Sequence, residues 1–383
     1  MIDFFSNDFV NHPGIILILG GIVMMFMPGN MRRVATFALP LIALAGFLNY
    51  PDELILTINT FGYTLDPIRI DGLSWIFTLI FILAAFLAAV YSLHSSNKAE
   101  QSSIAIYAGS AIGAVLAGDL LTLFIFWEIS AISSTVIVWL GGSIQSKQAG
   151  MRYLLIHITS GLLLLLGSIL HYQQTESILF NAMTIDTLSG LLIFLAFGIK
   201  CAFPLLHNWL QDAYPHASPV GTVALSAFTT KLAVYCLARA YAGTESLIWI
   251  GALMTAFPIF FAVLENDLRK VLSYSLNNQL GFMVVGVGVG TELALNGTAA
   301  HAFSHILYKA LLFMSMGAVL HRVGTVKASE LGGLYKSMPW TTIFCIIGAM
   351  SISAFPLFSG FISKGIILYA VAEQGHWIIW LVL

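Results

Sequence analysis

The chain has 383 residues, of which 58% are hydrophobic and 9% charged, with a formal net charge of −2. Soluble domains average about 25% charged and 45–50% apolar residues, so this composition excludes a soluble globular protein. The near-neutral charge excludes a basic nucleic-acid binder, and no disordered or collagen-like bias is present.

The mean hydropathy is +0.90, and twelve membrane spans of about 20 residues would occupy ~240 residues. Apolar spans are expected at about 14–27, 34–50, 72–93, 103–118, 120–140, 153–171, 188–206, 219–241, 247–264, 271–290, 297–320 and 340–372. Pro356 and Gly360 interrupt the last of these. A thirteenth run, from Trp377 to Leu383, is too short to cross a bilayer: either the chain is a fragment or this end needs support from a partner. Cys201, Cys236 and Cys345 lie in apolar runs without a CxxC pair, which argues against iron–sulfur clusters, c-type haem and a disulfide framework. The start, MIDFFSNDFVNHPG, lacks the positive region of a cleavable signal peptide.

Loop charges give an orientation. Numbering the loops alternately, one set holds Arg32, Arg33, Lys98, Lys147, Arg152, Arg269, Lys270, Arg322, Lys327 and Lys336. The other, counting the N-terminal tail, holds Asp3, Asp8, Asp52, Glu53, Asp66, Asp71, Asp119, Glu176, Asp186, Glu245, Glu292 and Glu373, with Arg69 and Arg239 as its cations. Lys and Arg mark the cytoplasmic face. A multi-pass protein of the cytoplasmic membrane is therefore expected, with its N-terminus outside.

Five charged residues remain within the spans: Glu128, Lys200, Lys231, Lys309 and Lys364. Each costs roughly 2.5–3.5 kcal/mol near a bilayer centre on insertion scales, and such residues usually face a bundle interior and mark ion paths. Glu128 follows Asp119 by ~13 Å of helix, and an anion there needs a cation nearby. Lys200 is the candidate partner. Pro204 cannot donate an amide to the carbonyl of Lys200, so the helix is expected to break there. Lys231 lies mid-span after Thr229 and Thr230, where a desolvated lysine can cycle between charged and neutral forms. His301, His305 and Lys309 stand in HAFSHILYK on nearly one helical face. An HxxxH metal pair has no convincing third ligand, and a satisfied core histidine is the plain alternative. Two histidines and a lysine in line also suit a proton relay. Lys364 follows Pro356 and Gly360. FGIK at 197–200 resembles GFISK at 360–364, a hint of an internal repeat built on broken helices.

Taken together, these segments resemble the proton-conducting antiporter-like subunits of respiratory complex I, Mrp-type sodium/proton antiporters and membrane-bound hydrogenases. The likeness rests on IRIDGLSWIF (68–77), LTLFIFWEIS with Glu128, KCAFPLLHNWLQDAYPHASPVGTVALSAFTTK with Lys200 and Lys231, ENDLRKVLSYSLNNQLGFM, HAFSHILYKALLFMSMG, and FPLFSGFISK with Lys364. It covers about residues 66–370. Gln211 stands where the family commonly has proline, and His216 where it has small or acidic residues.

The resemblance implies an all-α polytopic transmembrane bundle of two inverted five-helix repeats with broken helices, cut short within the thirteenth of fourteen helices. It divides the chain into N-terminal helices (1–102), a first half (103–241) and a second, incomplete half (242–383). It implies a proton relay of Glu128, Lys200, Lys231, His301, His305, Lys309 and Lys364. Glu128 and Lys200 would form a switching ion pair, Lys231 and His305 would connect the halves, and Lys364 would sit near an exit. At 4 Å and an effective dielectric of 20 such a pair interacts by about 4 kcal/mol, enough to decide a protonation state. The expected function is translocation of protons, with sodium as a second candidate ion, by one component of a multisubunit antiporter. Its partners would be other integral membrane subunits and the bilayer, with no nucleic acid. No covalent chemistry, cofactor or metal is expected. The alternatives are a proton-pumping component of an NADH:quinone oxidoreductase or hydrogenase, and a structural component without transport. A solute carrier lacks a substrate signature here, and a membrane hydrolase lacks HExxH and GxSxG.

Overall fold

A computed structural model describes residues 11–60 and 62–383. Asp3 and Asp8 of the N-terminal charge set lie outside the described residues. The chain is mainly helical, and among the described residues seven helices are long and apolar enough to cross a membrane. It divides into two compact units, one up to Lys200 and one from Cys201 to Leu383.

The first unit holds α1 (Pro13–Met24), α2 (Gly29–Leu48), β1 (Leu54–Thr60), β2 (Tyr63–Ile70), α3 (Gly72–Ser92), α4 (Lys98–Leu116), α5 (Leu120–Trp139), α6 (Ile144–Thr175) and α7 (Leu188–Lys200). Helix α4 is buried from Glu100 to Leu116 save at Ala105 and Ile106, and it packs against α1, α3 and α5. Its Gly109–Gly113 pair forms a GxxxG face on which Gly14 of α1 rests. A Cβ on Gly14 would stand 2.6 Å from the Gly109 carbonyl oxygen. Small residues let membrane helices approach this closely, where lipid leaves no hydrophobic drive between them.

The 51–71 link, expected as an acidic loop, contains an antiparallel hairpin with Leu54 opposite Ile70 and an irregularity between Leu56 and Ile58. It is the one exception to an all-helical chain among the described residues. The hairpin is tied to the α4–α5 link: Asp66 donates its N–H to Asp119 Oδ2 (2.9 Å) and Gly118 donates to Asp66 O (2.8 Å). Asp71 and Asp119, counted above as loop charges, also cap α3 and α5 by accepting from Ser74 and Thr122 amides. Carboxylates at helix N-termini satisfy otherwise orphaned donors.

The second unit holds α8 (Asn208–Ala213), α9 (Pro219–Ala227), α10 (Thr229–Ala240), α11 (Glu245–Leu264), α12 (Leu268–Val289), α13 (Glu292–Val323), α14 (Leu334–Ser337), α15 (Pro339–Ile352), α16 (Ser359–Glu373) and α17 (Trp377–Val382). Residues 219–240 form its centre and are buried along their whole apolar window. Arg269, at the start of α12, is 5% exposed and donates to the carbonyls of Ala217 (2.7 Å) and Tyr214 (3.3 Å) and to Thr222 Oγ1. This clamps the turn between α8 and α9.

Two helix breaks fall where proline was expected to place them. Helix α7 ends at Lys200, and the 340–372 span is two helices, α15 and α16. The repeat unit, however, is not FGIK against GFISK. It is AFPL, present at 202–205 and again at 354–357. Ala202 and Leu205 have φ of 62° and 69°, and Ala354 and Leu357 have φ of 54° and 75°. Four of the five described non-glycine residues with positive φ are therefore these two pairs. Each costs roughly 1–2 kcal/mol of left-handed backbone, so the break is a built conformation that occurs twice. In this register Lys200 precedes its AFPL and Lys364 follows its own. A third break, at Phe228, divides the 219–241 span into α9 and α10 without a proline.

Candidate ion-translocation site

In the first unit, α5, α6 and α7 carry one cluster. Lys200 is the last residue of α7 and is fully buried. Its Nζ donates to Trp127 O (2.9 Å) and Ser130 Oγ (2.8 Å) and lies 4.0 Å from the centroid of the Trp127 ring. Trp127 is fixed in turn: its Nε1 donates to Ser160 Oγ (3.1 Å), and that hydroxyl donates to Ala196 O (2.7 Å) on α7. One turn further along α5, Ser134 Oγ accepts from Tyr153 OH (3.0 Å) and donates to Ser130 O (2.5 Å). Buried hydroxyls thus continue from the lysine toward the Trp139 end of α5.

Glu128 is half-buried, at the edge of α5 whose exposed positions include Ile125 and Ile132. Its carboxylate feels the charge of Lys200. Yet Oε1 is buried with no hydrogen-bond partner, while the lysine amine turns to Trp127 and Ser130. The two residues share a cluster, and the carboxylate lies against Gly161 of α6.

The second unit gathers the remaining five residues. Lys231, His301, His305 and Lys309 are fully buried, and Lys364 is 9% exposed. Lys231 Nζ donates to Ser226 O (2.6 Å) and Thr230 Oγ1 (3.1 Å). Lys364 Nζ donates to Ile352 O (2.8 Å), the last residue of α15, and lies 4.8 Å from the Phe282 ring centroid. Both amines therefore occupy carbonyls at the C-terminal end of an interrupted helix. Those carbonyls lack intrahelical donors and carry the negative end of the helix dipole, so a cation is well placed there. Lys309 Nζ donates to Ser275 Oγ of α12.

His301 and His305 stand 6.1 Å apart by ring centroid, and His305 lies 5.3 Å from Tyr308. His301 Nδ1 meets Ser363 Oγ at 2.9 Å, and Tyr308 OH donates to Gln279 Oε1 (3.1 Å). Lys231, Lys309 and Lys364 all act electrostatically on His305. Both ring nitrogens of His305 and Nε2 of His301 are buried without a protein partner; buried polar atoms of this kind are satisfied by water. No group of three or more metal-ligating side chains occurs among the described residues. Sequence reasoning missed Trp127, Ser130, Ser160, Gly161, Ser275, Gln279 and Ser363. Ser275 and Gln279 lie in ENDLRKVLSYSLNNQLGFM, where their polarity amid apolar residues was the available signal.

Outside the spans, His216 lies in the turn held by Arg269. Burial pushes its imidazole below the usual histidine value, with Asp212 opposing and the Lys270 and Arg269 charges adding to the effect.

The family described as NADH:quinone oxidoreductase/Mrp antiporter, transmembrane, matches residues 117–383. The chain belongs to this family. It is a multi-pass membrane protein. Among its relatives, a Na(+)/H(+) antiporter component of Alkalihalophilus pseudofirmus is 30% identical over 287 residues, covering 70% of this chain and 58% of the relative. A component of the NADH-quinone oxidoreductase of Desulforudis audaxviator is 31% identical over 339 residues, covering 82% and 67%. A probable K(+)/H(+) antiporter component of Rhizobium meliloti is 28% identical over 396 residues, covering 93% of this chain and 39% of the relative. The chain thus spans only part of the length of several relatives. A solved Mrp complex from a Dietzia species contains a chain that superposes with a TM-score of 0.86 at 27% identity, over 94% of this chain and 43% of that one. A chain in the structure of respiratory complex I from Thermus thermophilus shares the fold, with a TM-score of 0.84 at 21% identity, over 97% of this chain and 85% of that one.

Proposed function

We propose that this chain moves protons across the cytoplasmic membrane, in exchange for a monovalent metal cation, as one component of a multisubunit cation/proton antiporter. The observation that carries this reading is the complete burial of Lys200, Lys231 and Lys309 in an apolar membrane protein. Each amine rests on carbonyl or hydroxyl oxygens. Charges so costly to bury are kept where ions pass. Neutral oxygens hold an ammonium yet let its proton leave more readily than a carboxylate would. In the first unit Glu128 and Lys200 exchange a proton as their separation changes. In the second, the histidine row lies within electrostatic reach of three lysines, so protonation of one disfavours protonation of its neighbours and drives charge along the row. Protons and sodium are the proposed ions, and other integral subunits the proposed partners. The division into 1–102, 103–241 and 242–383, and an N-terminus outside the cell, belong to the same proposal.

The test is ion flux in inverted vesicles carrying the full-length gene with its neighbouring subunits. Sodium-dependent collapse of a preset pH gradient, lost in Lys200→Ala with the complex still assembled, is the expected result. Retained transport in Lys200→Ala refutes the relay. The second reading, a proton-pumping component of a redox-driven complex, is favoured by the likeness to the NADH-quinone oxidoreductase component. It predicts no sodium response and proton pumping on addition of a redox substrate.

A further inference from the structure

Glycine in a helix interior costs stability relative to alanine, yet Gly161 lies mid-way along the 32 residues of α6. Its φ is not left-handed, so backbone freedom does not explain it. Space does. A Cβ at this position would coincide with Oε1 of Glu128 and stand 2.6 Å from its Cδ. The preceding residue, Ser160, holds the indole of Trp127, so consecutive residues of α6 receive consecutive residues of α5. The seat offers Oε1 no hydrogen bond. It receives that oxygen by shape, with no hydrogen bond to break when the oxygen leaves. Lys200 from α7 acts on the carboxylate, and His157, one turn before Gly161 on α6, also lies within reach of the Lys200 charge.

We propose that Gly161 is a positioning residue: the gap it leaves is the seat in which Oε1 of Glu128 stands without a hydrogen bond while the Lys200 amine is held by Trp127 and Ser130. A side chain there would exclude this position and hold the carboxylate toward the lysine. The inference rests on the proposed exchange between Glu128 and Lys200 and adds the element of α6 that lets the pair open.

The test compares the parent, Gly161→Ala, Glu128→Asp and the double variant in the assembled complex, by proton flux in inverted vesicles. Gly161→Ala is expected to lower flux about tenfold through loss of the seated position, since the end of the flexible Glu128 side chain yields without straining the helix. The double variant, whose carboxylate is one methylene shorter, is expected to match Glu128→Asp alone. A second readout is labelling by dicyclohexylcarbodiimide, which modifies carboxyl groups inside membranes, with Glu128→Gln as the blank. Labelling of the carboxyl group at position 128 is expected to fall in Gly161→Ala relative to the parent and, in the double variant, to match that of Glu128→Asp alone, which a purely structural role of the glycine would not produce. Parental flux and labelling in Gly161→Ala overturn the seat. So does a double variant markedly slower than Glu128→Asp, a comparison that stands even where Gly161→Ala alone fails to accumulate. Full flux in Lys200→Ala would instead overturn the exchange itself, so the two failures are distinct.

Discussion

Trp127 offers the sharpest perturbation of the Lys200 seat. The amine donates to Trp127 O and Ser130 Oγ and has a ring face 4.0 Å away. Replacing Trp127 keeps the carbonyl and removes the side chain. A desolvated cation–π contact contributes about 2 kcal/mol, equal to roughly a thirtyfold change in the balance between seated and withdrawn amine. Trp127→Leu and Trp127→Phe both lose the indole N–H bond to Ser160, but the phenyl ring keeps a π face. Proton flux in vesicles at matched protein levels should therefore fall by about an order of magnitude in Trp127→Leu and markedly less in Trp127→Phe. Equal flux in the two variants would show that the ring face contributes nothing to the lysine, and the reasoning would fail.

Arg269→Ala removes charge-assisted bonds to Ala217 and Tyr214 and to Thr222. At about 1.5–3 kcal/mol for each such bond, thermal unfolding in detergent should move several degrees lower, and an unchanged transition would discount the clamp. His216 should titrate below the ordinary histidine value, because burial disfavours its charged form. The unfolded chain then binds a proton that the folded chain does not, so this group contributes stability above the ordinary histidine value that is lost as the pH falls through it. Asp212→Asn, which removes an opposing charge, should lower the midpoint further. Histidine-selective NMR titration reads both, and a midpoint at or above the usual value contradicts the burial argument.

The breaks at Pro204 and Pro356 were legible in the sequence because a proline withholds an amide wherever it stands. Their shared segment, AFPL, is equally present in the sequence, but it holds no ionisable residue, whereas FGIK and GFISK each end on a lysine. The break at Phe228 carried no such mark. No glycine or proline occupies it, and the amine of Lys231 takes up a carbonyl on its near side. The hairpin at 54–70 shows alternating burial along β1, a pattern hidden among Asp52, Glu53, Asp66 and Asp71 in a stretch read as acidic loop.

The sequence by itself determined that the chain lives in a membrane, roughly where its apolar helices run, and which ionisable residues fall within its apolar segments. Those outcomes depend on the transfer free energy of each segment, which is summed along the chain without reference to neighbours. Only the tertiary structure decided what each charge meets. Lys200 reaches an oxygen 73 residues earlier in the chain, and His301 a hydroxyl 62 residues later. Glu128 rests against Gly161, a contact that a residue without a side chain does not announce in the sequence. Hydrogen bonds and close contacts fall off within an ångström, so which helices stand side by side, and at what rotation, settles the partners.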